Sequence, residues 1–322
     1  MKNPRPVAIV GAGLSGLSCA QALRDAGIPV HVFESAPGVG GRCATQLWQG
    51  HLVDLGVQYF TARTTEFKKE LLTRLRQFRP IISPVLDHLG KVVNTPSGPR
   101  FYVLQGNNYF AHILAQGIDV RLNTPIETVS FTSTGLECLG ESFSAVVSSL
   151  PGPLTARLFG LAHSPADYDP CLVALLEYAG VGVGTSRKCY ARILPEDAGP
   201  LLASHCENNK VGRITGDKTV FVALASPRFS REYADTPPEK YLPLLAAENE
   251  KLWQIADGTC TASSGHRWTY ARPIGPSHRP IELPPGAFLC GDSRVDSTVE
   301  QVWLDGQSAA QEVVEYLAGT TP

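Results

Sequence analysis

The feature that most narrows what this chain can become is Gly11-Ala12-Gly13-Leu14-Ser15-Gly16, set directly behind the apolar run Val7-Ala8-Ile9-Val10. Leu17, Ala20 and Leu23 follow at helical spacing, and a second apolar run, Ile28 to Phe33, ends in Glu34. Strand, glycine turn, helix, strand and acid, in that order, predict a βαβ unit that binds a dinucleotide. Each residue type has a physical reason. Gly11 permits the tight turn, Gly13 lets the backbone come close to a pyrophosphate, and Gly16 lets helix and strand pack closely. The free amides at the start of the helix face the phosphates. Glu34 stands eighteen residues beyond Gly16, placed to accept from a ribose 2′-OH.

Length and composition limit the rest. A chain of 322 residues with 43% apolar and 18% charged residues can bury a large core, and its length predicts about two domains. A net charge of −2 and the lack of a long basic run argue against nucleic acid as a partner. Lys68, Lys69, Arg74, Arg76 and Arg79 read as the wet face of a helix. The eight cysteines form no CxxC pair, which argues against a zinc ribbon or a thioredoxin-type motif and suits the reducing cytoplasm. Lys2 and Arg5 ahead of an apolar stretch resemble a signal peptide, but cleavage there would destroy the glycine turn, so the segment reads as mature structure. No run of eighteen apolar residues predicts a membrane span. Nothing in the sequence sets an oligomeric state.

Further along, Pro37-Gly38-Val39-Gly40-Gly41-Arg42 forms a loop able to press its backbone against an anion. Val53 to Phe60 mixes β-formers with Gly56, where a backbone can pass close to a ligand. Thr65–Phe78 predicts a helix with Phe67, Leu71, Leu72, Leu75 and Phe78 as its apolar stripe. Residues 81–104 alternate like strands, broken by Gly90, Pro96, Gly98 and Pro99. A short helix is expected at Tyr109–Gln116, then strands at Ile118–Leu122 and Ile126–Phe131, and a hairpin followed by a buried strand over 136–150. Beyond Leu154 the texture changes, with strands at Leu172–Tyr178, Thr219–Ser226 and Gly265–Pro273 and a helix at Pro238–Ile255. Phe288-Leu289-Cys290-Gly291-Asp292 returns to the style of the N-terminus, ahead of a last helix over 297–317. The expected division is therefore a discontinuous dinucleotide-binding domain (1–62, 105–155 and 286–322) with an inserted domain (63–104 and 156–285). Gly180-Val181-Gly182-Val183-Gly184 imitates a second glycine turn, but no striped helix and no terminal acid follow it, so it reads as a loop.

Taken together, Gly11-x-Gly13-x-x-Gly16 with Glu34, Gly40-Gly41-Arg42, Asp54-Leu-Gly56-x-Gln58-Tyr59, and Cys290-Gly291-Asp292 followed by Val299-Glu300-Gln301-Val302-Trp303 resemble the flavin-containing amine oxidase superfamily. Gln58-Tyr59-Phe60-Thr61-Ala62-Arg63, Ser226-Pro227-Arg228-Phe229-Ser230-Arg231-Glu232 and His266-Arg267-Trp268-Thr269-Tyr270-Ala271-Arg272-Pro273 resemble its renalase-like branch, in particular the short bacterial members. The resemblance implies an α/β fold, with a Rossmann-type FAD-binding domain and an inserted α+β domain covering the flavin.

It also implies roles. Glu34, with Ser35, would hold the adenosine ribose, and the backbone at Gly13, Leu14 and Ser15 the pyrophosphate. Gly41 and Arg42 would reach toward the same phosphates, and Gly291 and Asp292 would hold the ribityl or pyrophosphate end. Val299, Gln301 and Val302 would aim backbone amides at the flavin N1/O2 edge, where reduced flavin carries negative charge. Gln58 and Tyr59, beside the flavin, together with His266, Trp268 and Tyr270, would line the catalytic pocket; alternation alone also allows the His266–Tyr270 strand to be half core and half solvent. No cysteine matches a covalent flavin attachment point, so noncovalent FAD is expected.

The activity implied is oxidation of a small-molecule donor with O2 as acceptor, the renalase-like donors being abnormal isomers of dihydronicotinamide nucleotides. The alternatives are a primary or secondary amine as donor, an isoprenoid desaturase, and a flavin-binding protein without catalysis. The segment 194–212 matches the renalase-like pattern poorly.

Overall fold

The computed structural model describes residues 5–93, 98–132, 135–274 and 281–320. Val7–Val10 (β1) is buried at all four positions, as a central parallel strand covered on both faces must be. It runs through the turn into a helix, Leu14–Asp25 (α1), and on to Val30–Phe33 (β2). The first sheet is wholly parallel, in the order Ala287–Leu289, Ala145–Ser148, β1, β2, Asp119–Arg121. One edge of it thus comes from the far end of the chain. The closing helix, Val299–Thr320, lies against α1 so closely that a side chain at Gly306 would collide with the Ser15 carbonyl. Leu14, Leu17, Ala20 and Leu23 of α1 share one buried cluster with Trp303, Ala310 and Val313.

The second sheet has the order Cys260–Ile274, Asp167–Ala179, Lys218–Ala225, Leu201–Cys206, Ala191–Ile193, Val85–Leu86, antiparallel except at its last pair. Strand alternation gives its two faces different jobs. Leu172, Leu176, Phe221 and Ala223 pack under the helix Pro238–Trp253. Val173, Leu175, Val220 and Val222 face the other way, onto Trp48, Val53 and Leu55. Those three belong to the hairpin Thr45–Trp48 (β3) and His51–Asp54 (β4) and to the turn after it.

The helix expected over Thr65–Phe78 is shorter. An α-helix, Thr65–Glu70 (α2), passes into one wide turn, Leu71–Leu75, and stops where Arg76 turns left-handed at φ 45°. Phe78 belongs instead to a strand, Phe78–Pro80, paired with Phe101–Val103. Phe67, Leu71 and Leu75 lie in the first core, while Leu72, expected in the same stripe, is 67% exposed because the wide turn rotates it outward. The strand expected at Ile126–Phe131 forms only at Ser130–Thr132, where it pairs with Gly135–Cys138. Gly180–Gly184 is a turn, as its sequence predicts; Gly184 passes so close to the Trp253 carbonyl that no side chain fits there. Pro96 lies outside the described residues.

Candidate cofactor and substrate site

Three glycine turns meet at the start of α1. Gly11 adopts φ 104°, and a side chain at Gly16 would run into the Gly11 carbonyl, so the tight turn and the close helix both require glycine. Gly40 donates its N–H to Ala12 O (2.8 Å), which brings Gly41 against the Cα of Gly13. Gly291, at φ 110°, comes up beside the Ser15 hydroxyl, and its N–H donates to Asp305 Oδ2 (2.7 Å). No side chain caps α1 at Gly13, and space lies open where a Gly13 side chain would stand. The first amides of the helix, at Leu14 and Ser15, therefore border an open cradle, the form an anion site takes.

Glu34 ends β2 at 9% exposure. Its Oε2 accepts from Ala12 N (2.7 Å), and its Oε1 from Ala36 N (2.8 Å) and Ser35 Oγ (3.3 Å). The carboxylate is thereby fixed at the wall of a cavity of about 190 Å³, bounded also by Gly11, Ser35, Pro125, Leu150 and Arg157.

Arg42 and Asp292 are brought together. The guanidinium makes a two-pronged contact with the carboxylate, Nη2 to Oδ1 at 2.7 Å and Nη1 to Oδ2. Tyr168 donates its hydroxyl to the same Oδ1 (2.8 Å), and its ring centre lies 5.6 Å from the guanidinium. Asp292 belongs to the turn after the first sheet and Tyr168 to the second, so this group ties the two sheets together. Burial, and then the Asp292 carboxylate, push the Tyr168 phenol well above its ordinary range.

Gln58 and Trp268 border one turn, and His266 packs on Trp268. Gly56 packs on the Arg42 carbonyl with no room for a side chain, and Trp268 lies next to it. Trp268 Nε1 donates to Leu55 O (3.1 Å), and Gln58 Nε2 donates to Asp54 O (2.6 Å) and Gly56 O (3.2 Å). The His266 ring centre is 4.4 Å from that of Trp268. Burial lowers the His266 pKa, which favours the neutral ring. Tyr270 lies edge-on to Tyr168 at 6.1 Å. Tyr59 stands apart from this group, among Tyr190, His205 and the Arg100 guanidinium.

Sequence reasoning missed a buried charge cluster under this turn. Asp54 Oδ2 meets Lys210 Nζ at 2.8 Å and Arg213 Nη2 at 2.9 Å, and Lys210 also reaches Glu207 Oε1 at 2.7 Å; all four side chains are fully buried. Burial alone would raise the Asp54 carboxyl; Lys210, Arg213 and the Asn107 N–H together hold it below its ordinary value. Glu207 is raised instead, because burial and Asp54 outweigh Lys210. Tyr190 continues the network by donating to the Gln58 carbonyl (3.1 Å). Its one trace in the sequence is the polar stretch 194–212 that fits the renalase-like pattern poorly.

At the closing helix, Gln301 N donates to Thr298 Oγ1 (3.3 Å) and Val302 N to Thr298 O (3.0 Å), leaving Val299 at its tip. Glu300 turns away, accepting from Arg63 N (2.9 Å) and Thr64 N (2.6 Å). The open cradle at Gly13, the fixed acid at Glu34 and the Gly291–Asp292 turn fit the FAD that the resemblance implies. No group of histidine, cysteine or acidic residues suited to a metal occurs among the described residues, and none of their helices is long and apolar enough to cross a membrane.

Residues 9–75 match the family described as NAD(P)-binding Rossmann-like domain. The chain is similar to hydroxysqualene dehydroxylase of Sinorhizobium fredii, 49% identical over 65 residues, which are 17% of this chain and 16% of that one. It is also similar to polyamine oxidase 2 of Arabidopsis thaliana, 27% identical over 187 residues, 53% of this chain and 35% of that one. The matches thus span well under half the length of these relatives. Among solved structures, a protein of Exiguobacterium sp. 255-15 carried under a provisional protoporphyrinogen oxidase name superposes with a TM-score of 0.80 at 12% identity, over 99% of this chain and 100% of that one.

Proposed function

We propose, for a chain that carries the fold of the flavin-containing amine oxidase and protoporphyrinogen oxidase superfamily, that it is an FAD-dependent oxidoreductase of small molecules. The observation that carries this reading is the meeting of three glycine turns, at Gly13, Gly40–Gly41 and Gly291, around the uncapped start of α1.

The residues divide the work. The Leu14 and Ser15 amides would take the pyrophosphate and Glu34 the ribose, with Arg42 and Asp292 further along the cofactor. The amide dipoles at the tip of the closing helix, at Val299, would favour negative charge on the flavin N1/O2 edge. Burial lowers the His266 pKa and favours its neutral form. FAD bound in this site would supply a two-electron acceptor for a hydride from the donor carbon, with O2 as the expected final acceptor.

The favoured donors are abnormal isomers of dihydronicotinamide nucleotides, oxidised to NAD(P)+, on the renalase-like stretches at Gln58–Arg63 and His266–Pro273. FAD is held without a covalent bond, and the protein works in the cytoplasm. An amine donor is the second reading, favoured by the match to polyamine oxidase 2 over 53% of the chain. Visible spectra during anaerobic titration decide between them. Bleaching by the NAD(P)H isomers is expected; if those leave the protein yellow while a primary amine bleaches it, the favoured donor is wrong.

A further inference from the structure

The cavity of about 190 Å³ beside Glu34 is lined by a cation, Arg157, that belongs to no motif of the sequence. Ile126, Leu150 and Leu154 give it apolar walls, and its volume lies well below the roughly 300 Å³ at which pockets for whole drug-sized molecules begin. It suits one flat ring system rather than an entire cofactor. Leu154 and Arg157 stand three apart on the helix Gly152–Phe159, so one face of that helix carries both to the cavity. Val129 N donates to Leu158 O (3.1 Å), which fastens the helix to the segment that brings Pro125 and Ile126 to the same lining. Arg157 is exposed, and its guanidinium has no partner among the described residues. It pairs with neither Glu34 nor Glu127, the two acids on this cavity. A guanidinium without an acid partner at the mouth of an apolar cavity is free to lie on whatever flat group enters.

We infer that the Arg157 guanidinium stacks on the adenine of an adenosine held by Glu34 and closes the mouth of the cavity over it. The acid at the end of the second strand accepts from a ribose 2′-OH. That hydroxyl sits on the carbon next to the one bearing the base, so the cavity that Glu34 lines is the space nearest the base. The planar guanidinium matches the face of a purine in shape and is attracted to its π electrons. The inference rests on the cofactor reading proposed above and deepens it at the end remote from the chemistry.

ADP, which carries the adenosine half alone, is the probe, titrated calorimetrically into the full-length protein freed of flavin. Arg157→Ala is expected to weaken ADP about fivefold or more, in keeping with a cation–π contact. FAD affinity, read by quenching of flavin fluorescence, is expected to fall by the same factor, because both ligands carry the base. Arg157→Tyr, which offers another flat face, is expected to stay within about twofold of the parent. Arg157→Lys, which keeps the charge without the plane, is expected to lose nearly as much as Arg157→Ala. A merely structural role would lower the thermal midpoint of flavin-free Arg157→Ala, and Arg157→Tyr would not then restore binding. Unchanged ADP affinity in Arg157→Ala, recovery by Arg157→Lys but not by Arg157→Tyr, or a parent that binds no ADP overturns the inference. A protein that binds ADP through Arg157 yet takes up no FAD refutes the flavin reading alone.

Discussion

Lys210 Nζ lies 2.8 Å from Asp54 Oδ2, and neither side chain has any contact with solvent. The pair joins the hairpin that carries the Asp54–Tyr59 turn to a loop 156 residues away in sequence. Removing Lys210 leaves the buried Asp54 with Arg213 alone, and removing Asp54 leaves Lys210 with Glu207 alone, and breaking such a buried contact costs up to about 3–5 kcal/mol. Lys210→Met and Asp54→Asn are each expected to lose up to about that much by urea denaturation. The double variant is expected to lose clearly less than the sum of the two, because both single variants lose the same 2.8 Å contact. Additive losses would contradict the coupling.

His205 gives the protein a measurable acid sensitivity. It is 4% exposed, and burial, reinforced by Lys210, pushes its pKa down to about 3. The unfolded chain titrates this group near its ordinary value of about 6.5. As pH falls below that value, the unfolded state takes up a proton that the folded state refuses. Stability is therefore present above about pH 6.5 and is lost progressively toward the folded pKa, at up to about 1.4 kcal/mol per pH unit. Denaturation curves between pH 7 and pH 4 are expected to show a shallower loss in His205→Leu than in the unmodified protein. Equal slopes would show that the folded protein protonates His205 readily.

Arg42 and Asp292 are expected to govern cofactor affinity. Arg42→Ala removes the guanidinium that contacts Asp292 and lies over Tyr168, leaving a 3%-exposed carboxylate with only the Tyr168 hydroxyl as side-chain donor. FAD affinity, followed by quenching of flavin fluorescence, is expected to fall at least tenfold, a change of about 1.4 kcal/mol. Arg42→Lys is expected to recover only part of it, because an ammonium cannot reproduce the two-pronged contact. Unchanged affinity in Arg42→Ala would separate this group from the cofactor.

Gly56→Ala tests the close packing on which the turn depends. The added methyl would collide with the Arg42 carbonyl, a main-chain atom that cannot swing aside. Overpacking of this kind costs roughly 1–3 kcal/mol. The thermal midpoint and the FAD affinity are expected to drop together, since one shift moves Gln58, Trp268 and Arg42. A variant as stable as the parent, with the same affinity, would show that the turn has slack.

The parts of the fold that could be read directly were those written in local pattern. β1, α1 and β2 follow from apolar runs and glycines within thirty-four residues, and the strand under His266, Trp268 and Tyr270 follows from alternation. Glu207 and Lys210 show why the rest stayed hidden. Three residues apart and opposite in charge, they look like an exposed ion pair, and only the approach of Asp54 from elsewhere in the chain makes them interior. The Arg42–Asp292 contact spans 250 residues, and no local periodicity announces it. In the Thr65–Phe78 stripe the period was readable but its end was not, since the left-handed Arg76 carries no glycine or proline to mark it.

The parallel sheet takes its edge strand, Ala287–Leu289, and the helix that backs α1 from the last part of the chain. During synthesis, the glycine turn at residues 11–16 leaves the ribosome long before the Gly291–Asp292 turn exists. Contacts of such sequence separation form late. A growing chain therefore presents an unfinished nucleotide cradle until Ala287–Asp292 emerges. A cofactor that needs all three glycine turns would then be captured only after residues 287–292 have emerged.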